Sequence, residues 1–156
     1  MRWFATVAIG CVLMGTTGLG QAYSQVDFNK LSNYDYELPD PLDPTAKLVP
    51  NQIPVAIKSL NGKMVAIEGF MLPLDLTPQG VSVFMLNANL DMCYFGAPVR
   101  MNEWILVTMK GGKRAAFTHL ATTVKGRLSV GEEIRNGRVA SVYRLEADSA
   151  ETEGRR

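Results

Sequence analysis

From Ile53 onward, apolar and polar positions follow a period of two. The run IPVAIKSL is followed by Asn61-Gly62 and then by KMVAIEGFMLPL. Asn-Gly favours a type I′ turn because both residues tolerate positive φ, so the pattern predicts a hairpin here. In the second run Val65, Ile67, Gly69 and Met71 share one face. Met64, Ala66, Phe70 and Leu72 share the other, interrupted by Glu68. A strand apolar on both faces suits a small closed sheet that is partly covered outside. Pro73 ends it, since proline cannot donate to a ladder.

The next strand is VSVFMLN, residues 81–87, again apolar on both faces. A loop over 88–102 leads to the strand EWILVTMK, and Gly111-Gly112 makes a tight turn. RAAFTHLA fits either a short strand or a helical turn. In TTVKGRLSV, Val124, Gly126, Leu128 and Val130 alternate with Thr123, Lys125, Arg127 and Ser129, which predicts one wet face. Asn136-Gly137 supports a last hairpin into RVASVYRLEAD, where Tyr143, Leu145 and Ala147 alternate with Arg144, Glu146 and Asp148. Gly69 and Gly126 lie inside strands, where glycine marks a bend or bulge. Together these elements predict an all-β domain over 53–148: a small five- to six-stranded OB-like antiparallel barrel, ahead of an SH3-like barrel or a small sandwich.

The flanks read differently. Residues 1–24 open with Arg2, continue uncharged from Phe4 to Leu19, and end with Ala22 and Ser24 placed for signal cleavage before Gln25. An uncleaved membrane anchor and a lipid anchor at Cys11 are the alternatives. The apolar stretch is shorter than the ~20 residues a spanning helix prefers. Residues 25–52 carry Pro39, Pro41, Pro44 and Pro50 with Asp35, Glu37, Asp40 and Asp43. They predict an acidic, extended tether; a docking segment anchored by Tyr34 and Tyr36 is the other reading. Residues 149–156 lack apolar anchors and are expected to fray.

Charge and cysteine content narrow the function. Removing residues 1–24 takes away Arg2 and no acid, leaving 15 basic residues against 15 acidic ones. A neutral exported chain has no electrostatic footprint for nucleic acid, and no stable membrane span is expected after signal cleavage. Cys93 would then be the sole cysteine, in a compartment where disulfides persist. An odd cysteine there is a buried thiol, an intermolecular bridge, a ligand or a reactive group. There is no Cys-x-x-Cys pair, no G-x-G-x-x-G, no P-loop and no H-E-x-x-H.

Three segments, VAIEGFMLPLD, VSVFMLNANLDMCYFGAPVRMNEWILV and TTVKGRLSVGEEIRNGRVASVYRLEADS, resemble in order the exported bacterial family known as domain of unknown function (DUF) 3299. The resemblance runs over about residues 55–149 and implies an exported OB-like β domain. It lends no catalytic residues. Many members carry a histidine and a proline run just after the loop cysteine. This chain has Tyr94, Phe95, Gly96, Ala97 and Pro98 there, which weakens a Cys–His metal site.

The expected function is therefore a non-enzymatic binding or accessory module, periplasmic or secreted, that needs no cofactor. Its loop 88–104 would meet an unknown periplasmic protein or small ligand through Cys93, Tyr94, Phe95, Arg100 and Trp104. The alternative is a Cu(I) carrier that uses Cys93 with Met92, Met101 and His119, since thiolate and thioether ligands select that ion.

Overall fold

A computed structural model describes residues 22–43, 45–90 and 100–152. The elements in chain order are β1 (Ser24–Gln25), α1 (Phe28–Ser32), α2 (Val55–Lys58), β2 (Met64–Pro73) and β3 (Val83–Asn87). Then follow β4 (Trp104–Met109), a 3₁₀ turn at Lys110–Gly112, β5 (Thr122–Arg135) and β6 (Arg138–Thr152). The chain is mostly β, with a single six-stranded sheet and few helical residues.

The sheet is mixed, which corrects the expectation of an antiparallel one. β2 pairs antiparallel with β3 and with β5, β3 with β4, and β5 with β6. β4 and β6 run parallel, as do β1 and β2. Parallel neighbours need a long crossover between them. The β4–β6 crossover is the whole of residues 110–137, which carries β5; the β1–β2 crossover carries α1 and α2. Alternation within strands reveals faces, not which distant strand lies alongside. The order of pairing runs β2, β3, β4, β6, β5 and returns to β2.

The core is built from residues of these strands and of the segments that pack on them. Tyr143, Phe84, Ile67, Leu86, Ile105 and Leu128 are all fully buried. The alternation read in β5 and β6 holds: Val124, Gly126 and Leu128 are buried, as are Tyr143, Leu145 and Ala147. Glu68 is exposed while Val65, Ala66 and Ile67 before it are buried. Asn136 and Gly137 have φ of 52° and 75° and join Arg135 to its pair Arg138, the two-residue turn their chemistry calls for.

Three further expectations fail for identifiable reasons. IPVAIKSL is not a strand. Pro54 caps the single helical turn α2, which buries only Ile57 and leaves Val55 exposed. Asn61-Gly62 therefore closes no hairpin; Asn61 has no positive φ, and its Oδ1 instead accepts the Val130 N–H at 2.9 Å. The segment 25–52 is not a free tether. Val26, Phe28, Leu31 and Tyr36 are buried in the core, ahead of the prolines that block regular structure. Leu31 alone, with no exposed surface, contributes about 2 kcal/mol by burial. Nor do residues 149–152 fray. β6 continues through them, paired to Thr122–Lys125, and Lys125 Nζ meets Glu151 at 2.9 Å. Ladder bonds, an ion pair and Ala150, which packs against the core, hold this end.

Gly69 is where the N-terminal segment docks. A Cβ there would stand 2.7 Å from the Asn87 carbonyl oxygen, 2.9 Å from Leu86 Cγ and 2.9 Å from the Phe28 ring. Only glycine lets α1 sit this close to the end of β3.

Candidate functional site

The loop that follows β3 leaves at Ala88 and returns at Trp104. Its two legs are bridged at 3.4 Å, Ala88 N–H donating to the Glu103 carbonyl, and Trp104 pairs with Asn87 at the start of β4. Met92, Cys93, Tyr94 and Phe95 lie outside the described residues.

α1 packs beside these legs and is fixed at both ends. Asp27 caps it, Oδ1 accepting the Asn29 N–H at 2.9 Å. At its far end the Tyr143 hydroxyl donates to the Leu31 carbonyl at 2.8 Å and shares a 2.8 Å bond with the Tyr34 hydroxyl. Asn102, fully buried on the returning leg, donates through Nδ2 to the carbonyls of Ser32 at 3.2 Å and Tyr34 at 2.7 Å. Thus the end of α1, whose last carbonyls have no partner within the helix, is tied to the loop. Burial pushes the Tyr143 phenol far above its ordinary range, and the Tyr34 bond pushes the same way. Burial also raises Tyr34. Both stay neutral and act as hydrogen-bonding struts.

Between α1 and the loop legs lies a cleft of about 280 Å³. Asn29 and Ser32 form one wall; Asn87, Asn89, Arg100 and Glu103 form the other. A second cleft, about 390 Å³, adjoins it, shares Asn29 and Ala88, and reaches Gln25, Asp27 and Glu68. Arg100 is held in place: its guanidinium meets Glu103 Oε1 at 2.7 Å, and its backbone N–H donates to Glu103 Oε2 at 3.1 Å. A longer contact of 3.6 Å reaches the exposed Asp35. Asn87 is 5% exposed; its Nδ2 reaches the Phe70 carbonyl only at 3.5 Å, and its Oδ1 has no partner among the described residues. A buried acceptor without a donor carries a desolvation cost that a bound donor would remove.

The residues named from the sequence separate here. Arg100 stands on the cleft wall. Trp104 is half-buried at the start of β4, and Met101 packs against the core. His119 is exposed, its ring edge-on to Phe117 at 4.8 Å. Among the described residues, no three of His, Cys, Asp and Glu gather to hold a metal ion. Sequence reading missed Asn29, Ser32, Asn87, Asn89 and Asn102. The stretch LNANL, with two asparagines just past an apolar strand, was a signal; the contribution of α1 had none, because its partner lies about 70 residues away.

Comparison with known proteins agrees with this fold. A family model described as a protein of unknown function (DUF3299) matches residues 35–152. The crystal structure of a DUF3299 family protein from Pseudomonas aeruginosa PAO1 is 18% identical, with a TM-score of 0.58 over 86% of this chain and 99% of that one. A putative aspartyl-tRNA synthetase structure from Leishmania major Friedlin is 13% identical, with a TM-score of 0.41 over 89% of this chain and 22% of that one, too low to argue from. No curated protein matches.

Proposed function

We propose, for a chain that belongs to the DUF3299 family of proteins of unknown function, a non-enzymatic binding or accessory module of the periplasm or exterior. Export rests on the signal-like sequence of residues 1–24. The domain is read as an OB-like barrel: five strands pair in a circuit that returns to β2, with β4–β6 as its parallel pair. Loops of such barrels bind ligands.

The observation that carries the reading is the cleft between α1 and the legs of the loop 88–104. Its carboxamides both donate and accept, which suits orienting a polar ligand rather than attacking it. Asp27, Glu68 and Glu103 outnumber Arg100 across the two clefts, favouring a neutral or cationic group over an anion. Arg100 and Trp104 anchor the partner or ligand from the described part of the loop, with Cys93, Tyr94 and Phe95 added from its sequence.

The test is capture from a periplasmic extract, followed by titration of the captured molecule once identified. Phe95→Ala and Trp104→Ala abolish capture, and Asn29→Ala weakens it. Unchanged capture by all three, with the fold intact, rejects the reading. Stoichiometric Cu(I) binding lost in Cys93→Ser would replace it with the soft-metal carrier of Cys93, Met92, Met101 and His119.

A further inference from the structure

A larger groove, about 670 Å³, lies between residues 38–43 and 46–48 on one side and the turn that joins β5 to β6 on the other. Leu38, Pro41 and Leu48 line one side; Ile134 and Val139 line the other. Leu38 is 50% and Ile134 54% exposed. Leu42 stands 90% exposed between two lining residues. Burying so exposed a leucine removes apolar surface from water, which favours association.

The lip that carries Leu42 is braced by local hydrogen bonds. Asp40 Oδ1 accepts the Leu42 N–H at 2.9 Å, and the Asp43 N–H donates to the Asp40 carbonyl at 3.2 Å. Asp43 Oδ1 takes the Thr45 N–H at 2.8 Å and its hydroxyl at 2.7 Å. An apolar knob braced in this way loses less entropy on docking than a free one.

The charges around the groove balance. Asp40, Asp43, Lys47 and Arg138 all line it, and among the described residues none of them forms an ion pair. A patch of one sign would repel its own copy; two acids and two bases can pair with the same four turned about a two-fold axis. In such an interface each contact occurs twice, residue i on j and j on i. Knob, groove and both signs of charge lie on one patch, which is what a self-complementary surface requires.

We propose that two copies of the chain pair through this groove, Leu42 of each entering the groove of the other and Asp43 of each facing Arg138 of the other. The patch is smaller than the ~20–30 residues a side of a standard interface, so the dimer is a weak one.

Sedimentation of the full chain from about 1 to 500 µM, in reductant so that no thiol cross-link imitates the contact, tests this. Wild type is expected to pass from monomer to dimer. Leu42→Asp, Asp43→Lys and Arg138→Glu each weaken the dimer about tenfold or more. Mixing Asp43→Lys with Arg138→Glu restores it, because the introduced lysine on one copy then faces the introduced glutamate on the other while the remaining native pair is kept. A wild type that stays monomeric overturns the proposal. So does a dimer indifferent to all three substitutions, or one that mixing does not restore. The cleft beside α1 shares no residue with this groove, so failure here leaves the proposed function standing.

Discussion

At the scale of single residues, polar side chains organise much of the irregular backbone. Asn102 ties the loop to α1, and Asp75 does the same for the turn between β2 and β3. Asp75 Oδ1 accepts the N–H groups of Ser82 at 2.8 Å and Val83 at 2.7 Å, and Oδ2 takes the Ser82 hydroxyl. Arg114 approaches it at 3.3 Å. The Ser82 hydroxyl first, then the Val83 N–H, with Arg114 adding charge, hold the Asp75 carboxyl down at about 2. In the unfolded chain it returns to about 3.9. A pKa depressed by folding contributes stability above the unfolded value, and that stability is lost as pH falls through the folded value. Asp75→Asn therefore melts below wild type at pH 7, and the gap closes as pH drops from about 4 towards 2. Thermal melts across that window check it; a constant gap would refute the assignment.

At the scale of elements, close approach of backbones matters more than propensity. Val55–Lys58 is a helical turn although its sequence alternates: the Pro54 carbonyl accepts the Ile57 and Lys58 N–H groups at 3.0 and 2.9 Å, and Ile57 is buried. α1 is short, yet it is held by its Asp27 cap, by buried Phe28 and Leu31, and by the space above Gly69. Gly69→Ala forces Asn87, Leu86 and Phe28 apart and is expected to cost about 1–3 kcal/mol in urea unfolding. Faster hydrogen exchange in residues 28–32 should accompany it, since the added methyl group pushes on Phe28. Loss of stability without change in α1 would show that the helix is not seated there. Gly126 repeats the device: a Cβ would collide with the Glu146 carbonyl, at a register shift between β5 and β6.

At the scale of the whole molecule, the two chain ends of the domain meet. The Tyr23 hydroxyl donates to Asp148 at 3.1 Å, joining the segment before β1 to β6. Expected signal cleavage before Gln25 would remove that bond and the Ser24–Val65 pair, while Gln25 keeps its pairing with Ala66. The other end is a working part of the sheet. Cutting the chain after Asp148 removes four ladder positions and the Lys125–Glu151 ion pair. Each ladder bond is worth about 1 kcal/mol net, so the melting temperature is expected to fall by several degrees. An unchanged melting temperature would return these residues to the status of a loose tail.

Much of this was legible along the chain. Alternation over residues 122–148 located β5 and β6 and their buried faces, because a pleated strand exposes every second side chain whatever it pairs with. Asn136-Gly137 located their turn, because positive φ is a property of those two residues. Arg100 was recognisable as a candidate because a lone cation in an apolar loop stands out.

The remainder depended on contacts across long separations. Asn61-Gly62 carries the same turn chemistry as Asn136-Gly137, yet it packs against β5 because no strand precedes it. The parallel pairing of β4 with β6, the folding of residues 25–36 onto the core and the cleft they form with Asn87 and Arg100 are set by which surfaces can be buried together. A period of two in the sequence says that a face is apolar. Which element covers that face is a matter of volume and hydrogen-bond closure in three dimensions, and only the folded chain decides it.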